Sequence, residues 1–480
     1  MTHDTTLSDS TSAGSVPSQP PSVLGLVIVW SAQESECGRI VLIPPLPVGR
    51  PYLVGRGESS PTDTHPKLLP EEARPGGSRH SAPLTSLKLS RAQLAIEQST
   101  NGTLTVTNLG RARMAHNDAP SQRASLVVGD TLQLGSQLTL LCVRRPAWLS
   151  AMPSDFVLPP FGRADSHGIV GESWAIWQVR QQLAFAARQP EHVLVSGESG
   201  TGKELIAKAL HAQSSRSARV LIARNASTFP ETLIDAELFG NAKNYPNPGT
   251  PERLGLCGQA HESTLFLDEI AELPASLQPH LLRVMDAGEY QRLGEAHTRE
   301  SNLRLIGATN QPGLLRADLA ARFKLRIHSP GLHERREDIP LLVHAALRAI
   351  AARPTANALR FFPNDDLQRE PRVSRALMWL LLHRHYTTHF RELEAILWQC
   401  VNQSLRDVLE PPNEGSVTPN HESDGQATVA PVDPASLSRD AVQHALERNN
   451  WVLEQAWREL GLSSRHVLTR LLARHGLRRS

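Results

Sequence analysis

His192-Val193-Leu194-Val195-Ser196-Gly197-Glu198-Ser199-Gly200-Thr201-Gly202-Lys203-Glu204-Leu205-Ile206-Ala207-Lys208-Ala209-Leu210 decides the fold of this chain. An apolar run of strand type leads into a glycine-rich turn that ends on a lysine and opens a helix. Glycines let the backbone curl until several N–H groups face one anion, the helix N-terminus adds positive potential, and Lys203 reaches the terminal phosphates. The stretch predicts an α/β nucleotide-binding fold contacted by Gly197, Glu198, Ser199, Gly200, Thr201, Gly202, Lys203 and Glu204. Glu204 stands where this pattern carries a Ser or Thr hydroxyl for Mg2+, so the metal needs ligands from elsewhere.

Two later stretches supply them. Leu265-Phe266-Leu267-Asp268-Glu269-Ile270 is an apolar strand ending in two carboxylates, with Asp268 placed to hold Mg2+ and Glu269 to polarise an attacking water. Leu303-Arg304-Leu305-Ile306-Gly307-Ala308-Thr309-Asn310 is another strand of buried type, polar at its carboxyl end, where open parallel sheets bind ligands. Phosphate loop, Asp-Glu and Thr-Asn in this order read as one ATPase site using ATP and Mg2+.

Three more strings complete the set: Glu237-Leu238-Phe239-Gly240, Arg335-Arg336-Glu337-Asp338-Ile339-Pro340 and Phe390-Arg391-Glu392-Leu393-Glu394. With these, residues 169–397 resemble the AAA+ ATPase domain of the bacterial enhancer-binding proteins, the activators of sigma-54 RNA polymerase. The resemblance implies that Asn225 restrains Glu269, that Asn310 senses the terminal phosphate, and that Arg391 is a second sensor on a small helical lid. It makes Arg316 and Arg322 arginine fingers inserted into a neighbour's site, so it implies a homo-oligomer between a dimer and a hexameric ring.

The chain departs from that family between Gly240 and Gly255. The family carries Gly-Ala-Phe-Thr-Gly-Ala there, with the Phe and Thr touching the sigma factor; this chain reads Asn244-Tyr245-Pro246-Asn247-Pro248-Gly249. Two prolines stiffen the segment, and Tyr245 is displaced by one residue from the Phe position.

Residues 1–22 are rich in Ser, Thr and Pro and predict disorder; they lack the basic flank and apolar core of a signal peptide. Short apolar runs then predict an all-β sandwich over 23–145, with strands at Leu24–Val29, Arg39–Leu42, Leu87–Leu89, Leu94–Glu97, Leu104–Thr107, Thr131–Leu134 and Leu138–Val143. The Pro/Gly/Ser-rich insertion between Arg56 and Leu87 predicts no structure. Tyr52-Leu53-Val54-Gly55-Arg56, Leu89-Ser90-Arg91, Thr107-Asn108-Leu109-Gly110 and Val128 to Gly135 are similar to the forkhead-associated (FHA) pattern, a sandwich that binds phosphothreonine peptides. The resemblance assigns the phosphate to Arg56 and Ser90, with Arg91 beside them. Gln93 replaces that family's histidine, and Arg113 stands near its asparagine.

At the carboxyl end, residues 436–480 read as three short helices. Leu453, Ala456 and Leu460 keep helical spacing, Gly461 breaks the helix and Ser463 or Ser464 caps the next. The basic last stretch is similar to a Fis-type helix-turn-helix, which places Arg465, His466, Thr469 and Arg470 toward the major groove of promoter-upstream DNA. The predicted organisation is a multidomain chain: tail 1–22, sandwich 23–145, linker 146–166, α/β AAA+ core 167–330, helical lid 331–404, linker 405–435 and helix-turn-helix 436–480.

Composition fits. The 480 residues carry a net charge of +2, so DNA attraction has to be local. No apolar stretch reaches membrane-spanning length, and the four cysteines lack paired spacing for zinc or redox work. The expected protein is cytoplasmic and contacts no membrane. The resemblances imply an ATP-dependent DNA-binding regulator of the sigma-54 class, gated by a phosphothreonine protein. Two other readings stay open: a regulator of another polymerase form or a repressor, because of the altered loop, and a phosphopeptide scaffold whose ATP site only sets oligomeric state.

Overall fold

A computed structural model describes residues 20–44, 50–59, 65–76, 80–99, 102–230 and 232–412, with Arg439 and Gln443. These residues, the last two apart, belong to one compact unit, 1–412, and 413–480 form a second. The helix-turn-helix segment with Arg465, His466, Thr469 and Arg470 lies outside the described residues, as does the tail 1–19.

The amino-terminal region is all β. Its strands are β1 (Ser22–Ser31), β2 (Ile40–Ile43), β3 (Tyr52–Val54), β4 (Glu71–Glu72), β5 (His80–Ser81), β6 (Leu94–Gln98), β7 (Leu104–Asn108), β8 (Met114–His116), β9 (Ala119–Pro120), β10 (Arg123–Leu126), β11 (Thr131–Leu134) and β12 (Leu138–Pro146). One sheet runs β5-β4-β2-β1-β12-β11-β8-β9 and the other β10-β7-β6-β3. Leu26, Ile28, Leu140 and Cys142 of the first meet Leu94, Ile96, Leu104 and Val106 of the second in one core.

Two expectations are corrected here. Leu87–Leu89 is a turn closed by the Leu89 N–H on the Ser86 carbonyl, and Leu87 is exposed because no second strand borders it. The insertion after Arg56 is structured over its described part: β4 pairs with β2 and β5, and Lys67 bridges to Leu53.

The second region is a parallel sheet flanked by helices. In chain order come α1 (Trp174–Ala187), β13 (Val193–Ser196), α2 (Lys203–Ala212), β14 (Ile222–Asn225), α3 (Ile234–Phe239), α4 (Gly255–Gln259), β15 (Thr264–Asp268), α5 (Gln278–Ala287), the hairpin β16 (Glu289–Tyr290) and β17 (Arg299–Glu300), β18 (Arg304–Thr309), α6 (Ala317–Arg322) and β19 (Leu325–His328). The sheet order β14-β15-β18-β13-β19 sets β13 and its loop beside the ends of β15 and β18. Every residue of β18 is buried, as in a sheet covered on both faces. Arg304 is nonetheless fully buried; its guanidinium closes the last carbonyls of α1, at Ala186 and Ala187, and that of Glu191. Burial pulls its pKa down to about 10.

The lid consists of α7 (Ile339–Ala351), α8 (Arg375–His383) and α9 (Phe390–Gln403). Ser173 and Ser374 cap α1 and α8 by accepting the Ile176 and Leu377 N–H groups. The lid packs on the outer face of the sandwich: Val27, Val29, Ile40 and Leu141 share an apolar cluster with Leu341, Leu342, Leu381 and Tyr386. Polar ties rim it, from Trp30 Nε1 to the Val373 carbonyl (2.8 Å) and from Arg375 to the Gly135 carbonyl (2.7 Å). This explains why β1 is an almost unbroken apolar run: both of its faces are covered.

Candidate nucleotide site

Between β13 and α2 the loop turns on glycines. Gly200 and Gly202 have φ of +81° and +103°, which only glycine adopts freely. A Cβ on Gly200 would also lie 2.1 Å from the Thr388 carbonyl, so the lid approaches the loop backbone itself. Lys203 is 7% exposed and its ammonium folds over the loop, donating to the carbonyls of Gly197 (3.0 Å) and Glu198 (3.3 Å). It also stands 3.5 Å from a Glu269 carboxylate oxygen. Glu204 turns outward to Lys208, 2.7 Å away, and its side chain joins none of this.

Around the two carboxylates one contact differs from the expected one. Burial, then the charge of Glu269, raise the Asp268 pKa. Asn225 donates to Asp268 (3.4 Å), where a restraint on Glu269 was expected. Glu269 instead accepts the Asn310 backbone N–H (3.3 Å), so Asn310 meets the glutamate through its main chain. Glu269 has a left-handed backbone, φ 49°, a strained state for a residue with a Cβ.

The lid grips the loop at consecutive positions. His389, 1% exposed, bonds Glu198 through Nε2 (3.0 Å) and accepts the Leu332 N–H at Nδ1. The Phe390 N–H donates to the Gly200 carbonyl (3.2 Å), and Arg391 donates to the Ser199 hydroxyl (3.1 Å). Arg316 and Arg322 lie apart from this cluster, exposed and paired with Asp318 and Asp286. Sequence reasoning missed His389, although it directly precedes the Phe390 to Glu394 string, and it missed a cavity of about 270 Å³ behind the loop. That cavity is lined by residues scattered from Ala164 to Phe390, which no local pattern marks.

In the sandwich, Arg56 donates from Nε to the Leu89 carbonyl (3.2 Å), and the Ser90 hydroxyl accepts the Arg111 N–H (3.0 Å). Arg91 is exposed beside them. Gln93, 1% exposed, accepts the Ser90 N–H (3.0 Å) and donates to Asn108 and the Ala112 carbonyl. It braces the loop at Ser90.

Residues 169–326 match the sigma-54 interaction domain. The transcriptional regulatory protein ZraR of Salmonella typhimurium is 32% identical over 65% of this chain and 70% of its own length. The chain belongs to the sigma-54 interaction-domain family. Domains of this family are AAA+ ATPases. The formate hydrogenlyase activator FhlA of Escherichia coli is 33% identical over 63% of this chain, which spans only 44% of that protein. A solved structure of NtrX from Brucella abortus in complex with ATP is 25% identical, covering 66% of this chain and 70% of that one, with a TM-score of 0.44. Among the described residues no helix is long and apolar enough to cross a membrane.

Proposed function

We propose that the chain hydrolyses ATP to regulate transcription as a sigma-54 enhancer-binding protein. The observation that carries this reading is the Lys203–Glu269 pair, which sets a phosphate-binding cation beside the carboxylate suited to activate water. Asp268 fits Mg2+: its carboxylate is a hard donor, half-buried beside the Glu269 charge, and both raise its pKa. It would hold the ion, which would supply charge to the phosphate oxygens. Glu269 takes the proton of the attacking water, the Asn310 N–H holds that carboxylate in place, and Arg391 reaches over from the lid. Arg316 and Arg322, exposed on α6 and just before it, act on a neighbour's nucleotide, so the working form is a ring.

Phosphothreonine recognition by Arg56, Ser90 and Arg91 gates the assembly, supported by the bracing of Ser90 by Gln93 and Arg111. Arg465, His466, Thr469 and Arg470 anchor the protein to promoter-upstream DNA in the cytoplasm.

A second reading has its own observation. The segment replacing the sigma-contacting loop is tied down: Asn241 donates to the carbonyls of Ala242, Tyr245 and Pro251, and the Ala242 N–H donates to Leu293. Such a segment is a poor lever, which favours action on another polymerase form or repression. ATP turnover by the purified chain tests the shared core, and its absence overturns it. Open-complex formation with sigma-54 holoenzyme, ATP and a promoter fragment separates the two readings.

A further inference from the structure

Arg335 precedes α7 and lines the cavity behind the phosphate loop. Gly200, Thr201 and Gly202 form one end of that cavity, while Ile169, Ile176, Leu205 and Leu342 give it apolar walls. Among the described residues Arg335 is the one charged side chain in the lining. It is 6% exposed, and its side chain makes a single hydrogen bond, from Nη1 to the Val170 carbonyl at 3.3 Å. Its Nε has no partner, and it forms no ion pair among the described residues.

Other buried arginines among the described residues reach a carboxylate or several carbonyls. Arg304 closes three carbonyls, Arg180 pairs with Asp165 and donates to the Gly171 and Ile169 carbonyls, and Arg145 pairs with Glu337. Arg74 and Arg292 also leave Nε unpaired, but each meets a carboxylate, and Arg360 has two carbonyls. Asp338, the anion nearest in charge to Arg335, spends its oxygens on the Glu172 and Ser173 N–H groups and the Ser173 hydroxyl. A guanidinium buried with one bond is costly unless a ligand supplies an acceptor.

We propose that Arg335 reads the base of the bound nucleotide, donating a hydrogen bond to a ring nitrogen of a purine. This rests on the ATP reading of the site. The loop N–H groups and Lys203 already define the phosphate end, and apolar walls suit a flat ring better than a second anion. A guanidinium only donates, so it selects a ring-nitrogen acceptor and offers nothing to an amino group. Arg335 is thus a specificity residue, while Lys203 and the loop hold the phosphates irrespective of base.

Titration calorimetry on the full chain, wild type and Arg335→Met, tests this with ATP, its 1-deaza, 3-deaza and 7-deaza analogues, and inorganic tripolyphosphate. Arg335→Met should bind ATP roughly tenfold more weakly, the loss expected for one hydrogen bond to a charged group, and tripolyphosphate unchanged. One deaza analogue should bind the wild type roughly tenfold more weakly than ATP and the variant no more weakly than ATP does. An unchanged ATP affinity in the variant, an equal loss for tripolyphosphate, or a discrimination that survives the substitution overturns the proposal. So does a wild type indifferent to all three analogues, which needs no variant to fold. A wild type that binds no ATP overturns the ATP reading along with it.

Discussion

Arg145 at the end of β12 and Glu337 just before α7 meet at 3.1 Å, and both are buried. Burial raises the Glu337 pKa and the Arg145 charge opposes it, so the pair is held together by mutual need. It joins the sandwich to the lid, and the lid carries His389 and Arg391 onto the phosphate loop. The lid thus touches both the sandwich and the phosphate loop.

Arg145→Met leaves the Glu337 carboxylate buried without its cation. Chemical denaturation should show a loss of about 3–5 kcal/mol, and adding Glu337→Gln should recover part of it. Equal stability of both variants and the wild type would remove the pair from the docking.

Arg322→Ala and Glu269→Gln should each abolish most ATP turnover, and mixing the two proteins should restore some, because a mixed interface unites an intact glutamate with an intact finger. Turnover strictly proportional to concentration, with no rescue on mixing, would deny the fingers their role in trans.

Full-length protein should bind a phosphothreonine peptide library and ignore the unphosphorylated one, with most of the binding lost in Arg56→Ala. Fluorescence anisotropy reads both. Equal binding to the two libraries would reduce the sandwich to a lid clamp.

On the second reading the native chain does not form open complexes on sigma-54 promoters, and grafting Gly-Ala-Phe-Thr-Gly-Ala onto positions 244–249 should confer that activity. Robust opening by the native chain, lost in Tyr245→Ala, would establish Tyr245 as a substitute contact.

Glu370 fixes an acid limit. Burial pushes its carboxyl up, but hydrogen bonds and charge from His344 and Arg348 outweigh burial and hold it at about 2. A carboxyl lowered in the folded state stabilises the protein above its unfolded value, here 4.5, and that contribution, about 3 kcal/mol, is lost as pH falls from there toward 2. Glu370→Gln should flatten the stability profile over that window, measured by thermal melts at stepped pH.

By itself the sequence determined the nucleotide machinery, because phosphate binding depends on neighbours along the chain. Gly200, Gly202 and Lys203 must follow one strand and open one helix, and Asp268 and Glu269 must end another, so spacing alone locates them. The strands β1, β6, β7, β11 and β12 were legible from their local apolar patterns. Tertiary structure alone decided what residues distant in sequence do together. Gln93 braces Ser90 because its amide reaches Asn108 and Ala112, and Asn225 meets Asp268 because β14 lies beside β15. The unbroken apolar run of β1 states that the strand is covered, yet not by what; the lid covers its second face through contacts more than 300 residues away. Arg335 belongs to a string the sequence marks, but only packing removes its water and leaves its Nε facing no protein acceptor.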